Sequence, residues 1–158
     1  MPHRGIATLS LGLMLSFLLL SHFDSQFFLI HFYESLIYLV IVLMLFYWED
    51  RWAYMLGMVA PASWLLLTFV ARGFGDFIRQ FTGLFRVHAT TDPAGFLGGV
   101  ISILSVALIV NCAYRWKREF AGFKKGIRTF AVSFGVVAAY YALMIAWFWR
   151  AVEAAPHP

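Results

Sequence analysis

The sequence predicts an all-α fold, a polytopic membrane helix bundle with five transmembrane helices and one interfacial amphipathic helix. Three observations carry that expectation. Of the 158 residues, 62% are apolar and 13% are charged, against about 25% charged in soluble domains. The apolar residues fall into five long runs, and the charged residues gather in the breaks between them. Five helices of roughly 20 residues with tight connections would consume nearly the whole chain, so residues 1–158 read as a single integral membrane domain with no room for a soluble catalytic domain.

The first run, residues 6–23, follows a short Met1-Pro-His-Arg head and resembles a signal peptide in length and charge. It offers no small-x-small cleavage site at Leu19, Ser21 and Phe23, so it is expected to be a retained helix. The second run, residues 27–48, begins after the turn His22-Phe-Asp-Ser-Gln26 and is long enough to cross roughly 30 Å of hydrocarbon. Runs one and two therefore form an antiparallel hairpin.

Glu49-Asp50-Arg51 breaks the apolar pattern, and residues 52–70 resume it with Pro61 near the midpoint. A proline there removes a backbone donor and crowds the carbonyl of Gly57, which predicts a kink. Past Arg72, the residues Phe74, Phe77, Ile78, Phe81 and Phe85 recur at helical spacing, with Asp76, Arg79, Gln80 and Arg86 on the other face. That pattern predicts a separate helix over residues 74–87 lying in the membrane interface.

Thr90-Thr91-Asp92-Pro93 reads as a helix start, Asp92 accepting from free backbone N–H groups and Pro93 preset for the first turn. The fourth helix is expected over residues 93–114 and the fifth over residues 127–149. Between them lie Arg115, Lys117, Arg118, Lys124, Lys125 and Arg128 against the single acid Glu119. Such a cluster suits anionic lipid headgroups and equally fixes orientation. With the N-terminus cytoplasmic, those six, Arg4 and Arg51 lie inside, and Arg72, Arg79, Arg86 and Arg150 outside. Eight against four predicts N-in, C-out. Nucleic acid is not implied. The aromatic boundaries expected at the inner edge are Tyr47, Trp48, Trp52, Tyr54, Tyr114 and Trp116, and at the outer edge Trp147 and Trp149.

Two helices carry ridges of small residues. Ala131, Gly135, Ala138, Ala142 and Ala146 recur every three or four positions on the fifth helix, and Gly95, Gly99, Ser102 and Ser105 do so on the fourth. Small-xxx-small faces let backbones approach closely in lipid. Either the two ridges pack on each other within the chain, or one of them receives a partner subunit or a second copy.

Glu34 is the polar residue most in need of a reason, since it lies roughly 10 Å into the second helix at about 1.5 Å per residue. A carboxylate at that depth must be neutralised, paired or turned toward a cavity. His31, Glu34, Ser35 and Tyr38 share one helical face. An ion pair of Glu34 with Arg72 is expected, with His31 and Tyr38 as hydrogen-bond partners. The alternative is an outer-leaflet site where His31, Glu34, Tyr38 and Arg72 surround the polar head of a quinone, haem or lipid.

His22 and His31 lie near the same membrane surface, but closely packed hairpin helices about 8–10 Å apart leave little width for a haem between them. A metal site is not expected, because no HExxH or second suitably spaced carboxylate is present. The single Cys112 excludes a disulfide framework within the chain and a CxxC motif. No run has a charge at its centre, which disfavours proton-coupled transport by one chain.

Three functions therefore stand. The first is a non-enzymatic membrane subunit or scaffold that contacts partner helices and lipid. The second is a binding or electron-transfer subunit with a quinone, haem or lipid near His31, Glu34 and Arg72. The third is an outer-leaflet lipid-modifying enzyme with Glu34 or His31 as general base, for which no nucleophile is evident.

Overall fold

The computed structural model describes residues 4–24, 27–47, 50–83, 93–120 and 123–153, with the backbone alone described at 50, 71–83, 123–125 and 149–153. Five helices follow in order: α1 Arg4–Phe23, α2 Phe28–Tyr47, α3 Asp50–Gly83, α4 Pro93–Glu119 and α5 Phe123–Glu153. Each holds a segment long and apolar enough to cross a membrane: Arg4–Phe23, Phe28–Tyr47, Arg51–Val70, Pro93–Glu119 and Gly126–Phe148. Leu15, Leu29, Phe46, Leu66, Val70 and Leu143 are exposed around the outside, a surface that suits hydrocarbon and not water.

Packing closes α1, α2, α3 and α4 into a ring, each helix touching the next and α4 returning to α1. The result is an up-down-up-down four-helix arrangement of the kind short connections favour. The α1–α2 turn is tight: the Asp24 N–H donates to Leu20 O at 2.9 Å, and the Phe27 N–H donates to Asp24 O at 3.1 Å. α5 lies outside the ring, against α3 and more lightly against α2.

Inside lipid the hydrophobic effect gives helices little reason to associate, so close packing must do so. Glycines supply it at two seams. A Cβ at Gly5 would lie 3.4 Å from Asn111 Nδ2 and one at Gly12 3.5 Å from Leu104 Cδ1, which fixes the antiparallel register of α1 on α4. At Gly57 of α3 a Cβ would come within 2.7 Å of Cys112 Sγ on α4, a separation that no real methyl group tolerates. At the centre, the Phe17 ring stacks on Tyr38 at 5.5 Å and meets Trp64 edge-on at 5.4 Å, tying α1, α2 and α3 together.

Several expectations are corrected. No separate interfacial helix follows the third span: residues 74–83 continue α3 without interruption, and residues 84–87 lie outside the described residues. Nothing between Val70 and Gly83 breaks a helix strongly, and ending one there would orphan four carbonyls, whereas propagation adds a bond per residue. α4 runs on to Glu119 and α5 begins at Phe123, so most of the basic connection is helical. Arg115 and Glu119, 3.7 Å apart at i and i+4, support that extension, as do cations at a helix C-terminus.

α3 passes through Pro61 as helix. The start proposed at Thr90, Thr91 and Asp92 lies outside the described residues, while Pro93 is the first residue of α4. Tyr54 is fully buried against α4, meeting Phe120 edge-on at 6.2 Å, and so is not part of an interfacial belt.

The two small-residue ridges do not meet. Gly99, Ser102 and Ser105 of α4 are buried and Gly95 half-buried, because α4 packs on α3 and α1. Ala131, Gly135, Ala138, Ala142 and Ala146 of α5 are all exposed, and nothing lies within 4 Å of a Cβ built at Gly135. The α4–α5 connection brings Trp116 beside Gly126, but the bodies of the two helices diverge from there.

Candidate functional site in the upper half of the bundle

α2 places His31, Glu34, Ser35 and Tyr38 on the face turned into the bundle, and all four are buried. Their i, i+3, i+4, i+7 spacing puts them within about 100° of arc. Glu34 retains 7% of its exposure and His31 9%. The His31 ring lies between two carboxylates. Nδ1 is 3.0 Å from Glu34 Oε2, and Nε2 is 3.7 Å from Asp24 Oδ2. Glu34 is thus partnered by a histidine one turn earlier on its own helix. The Arg72 side chain, expected as its partner, lies outside the described residues, although the α3 backbone continues through that position.

In the sequence Asp24 stands only as one residue of the polar turn His22-Phe-Asp-Ser-Gln26. Its carboxylate is 26% exposed against 9% for Glu34, so it marks the side of the site open to the membrane surface. The tight turn that bonds Asp24 N–H to Leu20 O and Asp24 O to Phe27 N–H holds it there. A carboxylate just ahead of α2 also faces that helix's positive end.

α5 supplies the other unforeseen residues. Tyr140 stacks on Tyr33 at 4.3 Å between centroids, and its hydroxyl donates to the Tyr33 carbonyl oxygen. Phe27 and Phe148 meet at 5.8 Å one end further along, so an aromatic seam joins α2 to α5. Tyr141, buried beside it, lies within electrostatic reach of Glu34, as do Tyr38 and Tyr140. The signal was present in the sequence: Tyr141 lies seven residues before the end of its span and Glu34 six after the start of its own, hence at similar depth.

Two groups stand out among the buried hydroxyls. Ser16, Ser21, Ser35 and Ser102 donate to carbonyl oxygens of Gly12, Leu18, Phe32 and Gly98 in their own helices, at 2.6–2.9 Å, the usual means by which a hydroxyl is satisfied in a membrane helix. Tyr141, Ser10 and Ser133 close no hydrogen bond with the protein, and the hydroxyls of Tyr38 and Ser105 bond nothing beyond each other. Tyr38 from α2 faces Ser105 of α4 across the interior, and the α1–α4 register brings Ser10 to the same level. The interior beyond Glu34 is therefore lined with hydroxyls that still have donors and acceptors to offer.

This geometry bears on each chemistry considered above. A haem iron or other metal needs an imidazole nitrogen with its lone pair free, and both nitrogens of His31 are turned to carboxylates. His22 lies exposed on α1 against the Phe23 ring. Among the described residues, no three of His, Cys, Asp and Glu converge as a metal site. Ser35, the hydroxyl nearest in sequence to the His31–Glu34 pair, donates to Phe32 O and is not activated by it. Of the basic residues at the other end, Lys117, Arg118 and Arg128 are exposed and Arg115 faces Glu119, while the side chains of Lys124 and Lys125 lie outside the described residues.

Five helices long and apolar enough to cross a membrane are the make-up of an integral, multi-pass membrane protein. No family model, curated relative or solved structure matches the chain.

Proposed function

We propose that the protein is a non-enzymatic membrane subunit whose α5 seats a transmembrane helix of a partner chain. The observation that carries this reading is the exposed ridge of Ala131, Gly135, Ala138, Ala142 and Ala146. Exposed Leu and Phe are uninformative in a membrane, because lipid covers them well. A small-residue stripe differs, since it leaves backbone thinly covered and is best filled by another backbone. The ridge runs about 22 Å at 1.5 Å per residue, most of the hydrocarbon thickness, so its occupant is a whole spanning helix. Phe134 and Leu143 stand exposed beside it and would form the walls of the groove.

In this reading the N-terminus is cytoplasmic, and exposed Lys117, Arg118 and Arg128 contact anionic headgroups on that side, each contributing about 1 kcal/mol.

The test is native mass spectrometry of the protein taken in mild detergent from its own membrane, with Ala138→Leu and Ala142→Leu run beside it. A partner chain, or a second copy, at fixed stoichiometry that both substitutions release without loss of helix content supports the reading. A lone chain, or a complex indifferent to both substitutions, overturns it.

A further inference from the structure

The arrangement around His31 can do something that partner binding does not require. An imidazole whose two nitrogens face two different carboxylates is a poor metal ligand and a good proton carrier, since it can accept at one nitrogen while donating from the other. Asp24 stands at the surface end, Glu34 at the buried end, and His31 between them at 3.7 Å and 3.0 Å. We propose that Asp24, His31 and Glu34 form a proton relay that loads a carboxyl inside the bundle from the α1–α2 end of the molecule.

The step balances without any co-reactant. The Asp24 carboxyl O–H transfers its proton to His31 Nε2 as the Nδ1–H proton passes to Glu34 Oε2. Asp24 is left ionised, Glu34 neutral, and the imidazole in its other tautomer. A rotation of the Asp24 side chain, 26% exposed, closes 3.7 Å to hydrogen-bond range. The reverse transfer, from Glu34 Oε2 to Nδ1 and from Nε2 to the Asp24 carboxylate, discharges Glu34 and restores the first tautomer.

A static ion pair would explain His31 and Glu34 but not what lies beyond them. Tyr38 and Ser105 are buried to the last per cent with hydroxyls that bond nothing beyond each other, and the Tyr141 hydroxyl, on a side chain 4% exposed, bonds nothing in the protein. These groups are placed to receive the Glu34 O–H or to hold water beside it, and burial without partners is otherwise unfavourable in a membrane interior. The titratable groups facing Glu34 are His31 and Tyr38 of its own helix, Asp24 of the turn, and Tyr140 and Tyr141 of α5. α4 offers none between Pro93 and Val110, and α1 offers exposed His22 at its end. Among the described side chains of α3, the titratable ones are Arg51 and Tyr54, at the opposite end of the span.

The experiment is infrared difference spectroscopy of the full chain in lipid vesicles after a pH jump between about pH 8 and about pH 5, the window in which histidine titrates. The expected result is a protonated-carboxyl band that shifts in deuterated water, is lost in Glu34→Gln, and rises at least about tenfold more slowly in both Asp24→Asn and His31→Gln. Asp24 is the more exposed of the two, so its variant decides the matter should His31→Gln not fold. Absence of the band in the wild-type chain would mean that Glu34 stays ionised in a fixed pair and would overturn the proposal. A Glu34 band that rises at the wild-type rate in Asp24→Asn would overturn it as well, since the proton then enters by another route.

Discussion

Gly57→Ala tests the closest approach in the bundle. The added methyl would sit 2.7 Å from Cys112 Sγ, about 1 Å inside the optimum of roughly 3.5–4.0 Å for heavy atoms. Cys112 is fully buried with a short side chain, so either its rotamer or the α3–α4 spacing must give. Overpacking of this kind costs about 1–3 kcal/mol. Alanine's advantage over glycine in a helix returns about 0.8–1 kcal/mol, which leaves a net loss of about 1 kcal/mol. In the Cys112→Ala background the next atoms, Cys112 Cβ and Leu108 Cδ1, both stand at 3.9 Å, an ordinary contact. There the same Gly57→Ala change should stabilise by up to about 1 kcal/mol. The two effects differ in sign, so a double-mutant cycle in unfolding stability, followed by circular dichroism in detergent, should give a coupling of about 2 kcal/mol. Equal effects of Gly57→Ala in both backgrounds would refute the close seam and with it the α3–α4 register.

Tyr140→Phe should lose about 0.5–1.5 kcal/mol in the same assay, because the hydroxyl that donates to Tyr33 O is removed and the stacked ring kept. Tyr38→Phe should lose less than Tyr140→Phe, since its hydroxyl bonds nothing beyond Ser105; a loss as large as that of Tyr140→Phe would mean that Tyr38 has a further partner. Phe17→Ala should be the most damaging of the single changes, by about 3–5 kcal/mol, because it empties the space between Tyr38 and Trp64; a thermal shift near zero would place Phe17 outside the core. Gly135→Ala should raise the stability of the isolated chain by up to about 1 kcal/mol, since nothing lies within 4 Å of the new methyl, and a fall in melting temperature would show that the α5 ridge is covered within the chain.

The number and order of the spans were legible in the sequence because lipid imposes one rule, about 20 consecutive apolar residues per crossing. The ends were less so. The residues 74–87 carried the alternation of an interfacial helix, yet an amphipathic pattern states which face is apolar and not where a helix begins. Gly73 and Gly75 could have ended the helix, but with no proline to stop it α3 continues through both. The polar face of α2 was legible too, from the spacing of His31, Glu34, Ser35 and Tyr38. Their partners were not, because Asp24, Tyr140 and Tyr141 come from a turn and from a helix more than a hundred residues away. Ridge pairing failed for the same reason: small residues mark a face that permits close approach, and the choice of α1 and α3 over α5 as the neighbours of α4 lies in how all the helices share space.

α5 is where the two proposals come together. One of its faces presents Tyr140 and Tyr141 to Glu34 and the aromatic seam of α2, and another presents Ala138 and Ala142 outward. A partner helix seated on the ridge would lie one helix diameter, about 10 Å, from the buried carboxyl. α5 is also held less firmly than its neighbours, with 22% of its span buried against 39–50% for the other four. A gain or loss of charge at Glu34 therefore acts on the face of the helix that is most lightly anchored, at the seam where a single tyrosine hydroxyl is bonded to the α2 backbone. Coupling between protonation and partner binding would then require no route through the rest of the bundle. It would require that the partner's affinity differ between the two charge states of Glu34. That difference is readable as a change in the fraction of complex retained by Glu34→Gln, a fixed neutral side chain of the same shape. An unchanged fraction, with the infrared band and the complex both present in the wild-type chain, would make the two faces of α5 independent.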